Sequence, residues 1–66
     1  MPVINIEIGL GQTNEDQKKQ LISRLSADAA GITGIPVEKF ITFIHEFPVE
    51  NIGIGVKSLK DIRSGL

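Results

Sequence analysis

Apolar and polar residues alternate strictly near the amino terminus. In Val3-Ile4-Asn5-Ile6-Glu7-Ile8 the isoleucines fall on one side and Val3, Asn5 and Glu7 on the other. A period of two predicts a strand, and Gly9-Leu10-Gly11 breaks it. The period then lengthens. Leu21, Ile22, Leu25, Ala29 and Ile32 recur at three- and four-residue spacing, which predicts a helix with one apolar stripe, leaving Lys18, Lys19, Gln20, Ser23 and Arg24 mainly in solvent. Thr13-Asn14-Glu15-Asp16 supplies its start: the Thr13 hydroxyl can accept from the N–H three residues on, and Asp16 can reach back. Gly34 and Pro36 mark its end, with Gly31 as an earlier alternative.

A second strand is predicted over Phe40 to Phe47, with Phe40, Thr42, Ile44 and Glu46 on one face and Ile41, Phe43, His45 and Phe47 on the other. Both faces carry large apolar groups. One helix covers one side of a sheet, so the second side calls for cover from another subunit. Beyond Pro48, Glu50 to Val56 is spaced by glycines and predicts a small hairpin or arm, and Ser58 to Arg63 a last helical turn. The fold class is α/β (α+β): a β-α-β unit with parallel strands, a right-handed crossover and a short C-terminal hairpin.

Size sharpens the case for assembly. Residues 1–66 make a single domain, and a chain this short buries only about 60% of the surface it exposes when unfolded. It has no cysteine and one histidine, His45, so neither disulfides nor a thiolate metal site can reinforce it. A homo-oligomer without metal or cofactor is expected. Seven basic and eight acidic residues give a net charge of −1, with no Trp or Tyr. That composition offers nucleic acid neither a basic stripe nor a stacking platform beyond three Phe. No apolar run is long enough to span a membrane, and the N-terminus lacks the pattern of a signal peptide. A soluble cytoplasmic protein acting on a small molecule is the plain expectation.

Few residues carry chemistry. Gly9-Leu10-Gly11 has the place of a dinucleotide-binding turn but not its third glycine, since Asn14 stands there. Its backbone N–H groups remain available for a carboxylate or an oxyanion. His45, among Phe neighbours, reads as a hydrogen-bonded structural histidine. Glu46 and Glu50 read as solvated or paired carboxylates, and Lys39, Lys57, Lys60 and Arg63 as surface charge. Pro2 differs. As a strand-start residue it needs no explanation. Removal of Met1, however, turns its nitrogen into a secondary amine, whereas with Met1 attached that nitrogen is an amide and accepts no proton. An open α-amino group titrates at about 7.7–8.0. Burial among apolar groups lowers that value toward the range a general base needs.

Met1-Pro2-Val3-Ile4, the β-α-β order, Gly34-Ile35-Pro36-Val37-Glu38-Lys39-Phe40 and Glu50-Asn51-Ile52-Gly53-Ile54-Gly55 together resemble the 4-oxalocrotonate tautomerase family, from Pro2 to about Ile62. The resemblance implies protomers that pair their sheets into dimers and assemble as a hexamer, a trimer of dimers. It also implies that amino-terminal Pro2 is the general base and acid, moving a proton between the oxygen of an enol and the carbon of its ketone.

Three positions depart from the family pattern. Gln12 stands where an arginine binds substrate carboxylate, Ile41 where a second arginine polarises the carbonyl, and Ile52 where a bulky aromatic lines the pocket. Without the two cations, a dianionic substrate has no partner for its charges. The expectation is therefore a smaller, less charged enol or 2-keto acid type of substrate. Gly9, Gln12, Ile41 and Ile52 would line the site, with Lys39 or Arg24 as the available replacement cations. The alternative is a non-catalytic oligomer on the same fold, or a small-ligand-binding protein.

Overall fold

The isoleucines of the first alternation all turn the same way in the computed structural model, which describes residues 1–65. They lie in strand β1 (Val3–Gly9), which pairs in parallel with β2 (Ile41–Phe47), placing Ile4, Ile6 and Ile8 beside Thr42, Ile44 and Glu46. Helix α1 (Glu15–Thr33) connects them. A hairpin of β3 (Gly53–Ile54) and β4 (Lys57–Ser58) follows, and helix α2 (Leu59–Ser64) ends the described chain. The β-α-β unit with a small hairpin is thus the fold that the periodicity predicts.

Four details differ. The N-cap of α1 is Asn14 instead of Thr13: Asn14 Oδ1 accepts from the Gln17 N–H at 2.8 Å, and Gln17 Oε1 accepts from the Asn14 N–H at 2.9 Å. Asn outranks Thr at this position, and Gln17 stands three residues on, where it can return the bond. Phe40 lies outside β2, because its N–H closes a short 3₁₀ turn (Val37–Lys39) on the Val37 carbonyl at 3.1 Å. The apolar stripe of α1 is only partly covered: Leu21 and Ala29 are half-buried, whereas Ile22, Leu25 and Ile32 stay exposed. Lys18, assigned to solvent by spacing, is instead half-buried and paired with Glu46 at 2.7 Å.

The helix is therefore pinned to the sheet by polar contacts. Besides Lys18–Glu46, the buried Ser26 hydroxyl meets Thr42 Oγ1 at 3.1 Å. The helix stops at Gly34, which adopts a left-handed φ of 74° and donates its N–H to the Ala30 carbonyl. That conformation suits a residue without Cβ.

The opposite face of the sheet is not covered by a helix among the described residues. Val3, Phe43 and Phe47 are exposed there, Phe43 to 49%. His45 stacks on Phe43 at a centroid distance of 6.1 Å and meets Asn5 Oδ1 through Nε2 at 3.2 Å. Among the described residues, no apolar side chain is fully buried. The radius of gyration is 15.5 Å, against about 11 Å for a compact chain of this length. Accessible surface is 4958 Å², where a folded monomer of this mass exposes about 4,100 Å².

The cap assignment is testable by urea unfolding. Asn14→Ala should lower stability by about 1 kcal/mol. Thr13→Val should leave it unchanged or raise it, because the Thr13 hydroxyl is buried without a partner. A larger loss from the Thr13 variant would contradict the assignment.

Candidate active site

Parallel pairing separates the residues that the sequence singles out. Val3 is in register with Ile41 and Gly9 with Phe47. The Pro2 carbonyl accepts from the Ile41 N–H at 3.0 Å, so Pro2 and Ile41 share one end of the sheet. Gly9, Gln12 and Ile52 share the other, where with Glu7, Ile8 and Phe47 they line a cavity of about 290 Å³. Seven residue steps of strand lie between Pro2 and Gly9, about 23 Å at 3.3 Å each. Within one chain the two groups do not meet.

The far corner is tightly built. The Leu10 N–H donates to the Phe47 carbonyl at 2.7 Å, and the Gln12 N–H to the Gly9 carbonyl at 3.3 Å. Gln12 Oε1 accepts from the Gly9 N–H at 3.1 Å. A Cβ at residue 9 would stand 3.1–3.3 Å from the Gln12 amide atoms, so the amide would have to give by a few tenths of an ångström to admit one. The Gly9 N–H, left free for an oxyanion by the sequence reading, is thus already occupied. Gln12 instead keeps its NH₂ group as a donor. Ile52 is held beside this corner by its own carbonyl, which accepts from the Leu59 N–H at 2.7 Å. Glu7 and Phe47 were not singled out as site residues. The cue was register, which brings Phe47 opposite Gly9.

Comparison with known proteins decides the kinship. The family model described as "Tautomerase enzyme" matches residues 2–62. The chain belongs to the tautomerase family. Its relatives include the "Probable tautomerase" of Bacillus cereus, 34% identical over 61 residues, or 92% of this chain and 98% of that one. They also include the 2-hydroxymuconate tautomerase of Bacillus subtilis, 29% identical over 62 residues, 94% and 98% of the two chains. Among solved structures, a heterohexamer 4-oxalocrotonate tautomerase from Chloroflexus aurantiacus superposes with a TM-score of 0.84 at 28% identity, covering 96% of this chain and all of that one. These similarities identify an isomerase-type enzyme family and the fold described above.

Other polar groups of this tautomerase-family chain are engaged elsewhere. Lys18 and Glu46 neutralise each other between helix and sheet. Arg24 lines a separate groove of about 500 Å³ along α1, with Leu21, Leu25 and Asp28. Lys39 closes the 3₁₀ turn two residues before Ile41, at the Pro2 end. Among the described residues, no group of three or more His, Cys, Asp or Glu could hold a metal ion.

The Gly9–Gln12 contact predicts that Gly9→Ala shifts the Gln12 amide and weakens its bond to the residue 9 N–H, at a cost of at most about 1 kcal/mol. The Gln12 side-chain NH₂ signals in a ¹⁵N–¹H spectrum should move with the substitution. Unmoved signals would contradict the contact.

Proposed function

We propose that the protein is a keto–enol tautomerase in which Pro2, freed by removal of Met1, is the general base and acid. The observation that carries this reading is that the tautomerase family match begins at Pro2 and runs through nearly the whole chain. The free secondary amine takes the hydroxyl proton of the enol and returns a proton to the carbon at the far end of the enol system, so the ketone forms without net change. An apolar wall keeps the amine in its neutral, proton-accepting form.

That wall comes from a neighbouring copy. Two protomers that pair antiparallel bring the Pro2 end of one beside the Gly9–Ile52 end of the other. The uncovered sheet face and the excess surface of the isolated chain support assembly. A homohexamer built as a trimer of dimers, each chain a single tautomerase-like domain, is the arrangement we favour. The similarity to a heterohexameric tautomerase supports it.

With Gln12 and Ile41 in place of cations, the substrate is a small enol or 2-keto acid carrying less charge than a dicarboxylate. Ile52 supplies hydrocarbon and Gln12 a neutral hydrogen bond. We place the protein in the cytoplasm. No described helix is long and apolar enough to cross a membrane.

Two measurements test the proposal. Intact mass of natively expressed protein should lack Met1, and Pro2→Ala should slow ketonisation of phenylpyruvate or 2-hydroxymuconate at least about 100-fold. Equal rates, or a retained methionine, would remove Pro2 from the mechanism. Sedimentation should show an assembly with no monomer at micromolar concentration, and a monomer would contradict the composite site.

A further inference from the structure

We infer that the flank of α1 carrying Leu21, Arg24, Leu25, Asp28 and Ile32 packs antiparallel against the same flank of a second copy. Arg24 of each chain then pairs with Asp28 of the partner subunit across a two-fold axis. The inference specifies how copies meet in the proposed assembly, and it is independent of any role for Pro2.

Spacing, exposure and charge converge on this flank. Positions 21, 25, 28 and 32 recur at three- and four-residue intervals, so their side chains share one side of the helix. Leu21, Leu25 and Asp28 line a groove of about 500 Å³ together with Gln17 and Arg24. Leu25 and Ile32 are exposed, Ile32 to 85%. A stripe of Leu and Ile left open beside a groove calls for cover.

Arg24 and Asp28 decide what covers it. They stand one helical turn apart with opposite charges. Neither side chain has an ion-pair or hydrogen-bond partner among the described residues. A two-fold axis between two such helices reverses the order of the charges, so each cation faces an anion, twice over. The register that sets position 24 opposite position 28 also sets Leu21 opposite Gly31 and Ile32 of the partner subunit. No atom lies within 4 Å of where a Cβ on Gly31 would stand, which leaves room for the leucine. The helix runs opposite to β1, as the crossover of a parallel pair requires. The same axis therefore reverses β1 and sets the Pro2 end of one chain alongside the Gly9 end of the other. Arg24 is thereby assigned to contact between copies and not to substrate.

Charge reversal tests the pairing, with self-association followed by sedimentation and folding by circular dichroism. Arg24→Glu sets two acids against each other and Asp28→Lys two bases. Each variant alone should self-associate at least about tenfold more weakly than wild type. Mixing the two restores both attractive pairs and should recover wild-type assembly, as should Arg24→Glu combined with Asp28→Lys in one chain. Wild-type protein gives a second readout that no folding defect can spoil. Within one helix the backbones of Leu21 and Ile32 lie about 16 Å apart. A nuclear Overhauser effect between their methyls, in an assembly of labelled and unlabelled chains, arises only between copies, and it is expected. Undiminished association of both single variants, or a wild-type assembly without that contact, overturns the inference while leaving oligomerisation in place. A monomeric wild type overturns both.

Discussion

The structure depends on the parallel ladder between β1 and β2. It fixes which residues are neighbours, with Pro2 beside Ile41 at one end and Gly9 beside Phe47 at the other. It also fixes which face meets α1. A parallel pair needs a crossover between its strands, and here the crossover is the one long helix, which covers one side only. The proposed function builds on these two facts. The residues of the proposed site are divided between the ends of the sheet, and the face that could bring another copy across them is uncovered among the described residues.

On the proposed function, assembly and chemistry are one problem in this chain. An isolated protomer encloses no apolar side chain completely among the described residues, and its helix is seated on the sheet by a half-buried ion pair and a buried hydroxyl pair. Such polar pins define where the helix sits more than they stabilise it, since a partly exposed ion pair contributes little net energy. In the proposed assembly the large favourable term comes from covering Val3, Phe43, Phe47 and the flank of α1, in contacts between chains. The same contacts would close the amine of Pro2 off from water.

Much of this was legible in the sequence, and what was missed shares one cause. Period-two alternation, the Gly34 stop and the apolar residues on both faces of the second strand are local signals, and each corresponds to the structure. The Asn14 cap was obscured by an adjacent Thr13 of the same chemical type. Lys18 was misjudged because its partner, Glu46, is 28 residues away. The engagement of the Gly9 N–H by Gln12, and the place of Glu7 and Phe47 in the cavity, depend on loop path and register, which periodicity does not encode. The separation of the candidate site residues between two ends was implicit in parallel pairing but needed the register to be seen.

Subunit complementation tests the shared site most directly. Protomers carrying Pro2→Ala and protomers carrying Ile52→Asp are each expected to be at least about 100-fold slower alone, one with a primary amine in place of the proline base and the other without its dry wall. Mixed assemblies combine an intact Pro2 from one copy with an intact Ile52 from another, and should regain tautomerase activity. If both variants assemble and every mixture stays as slow, the site is not shared between copies and the account fails.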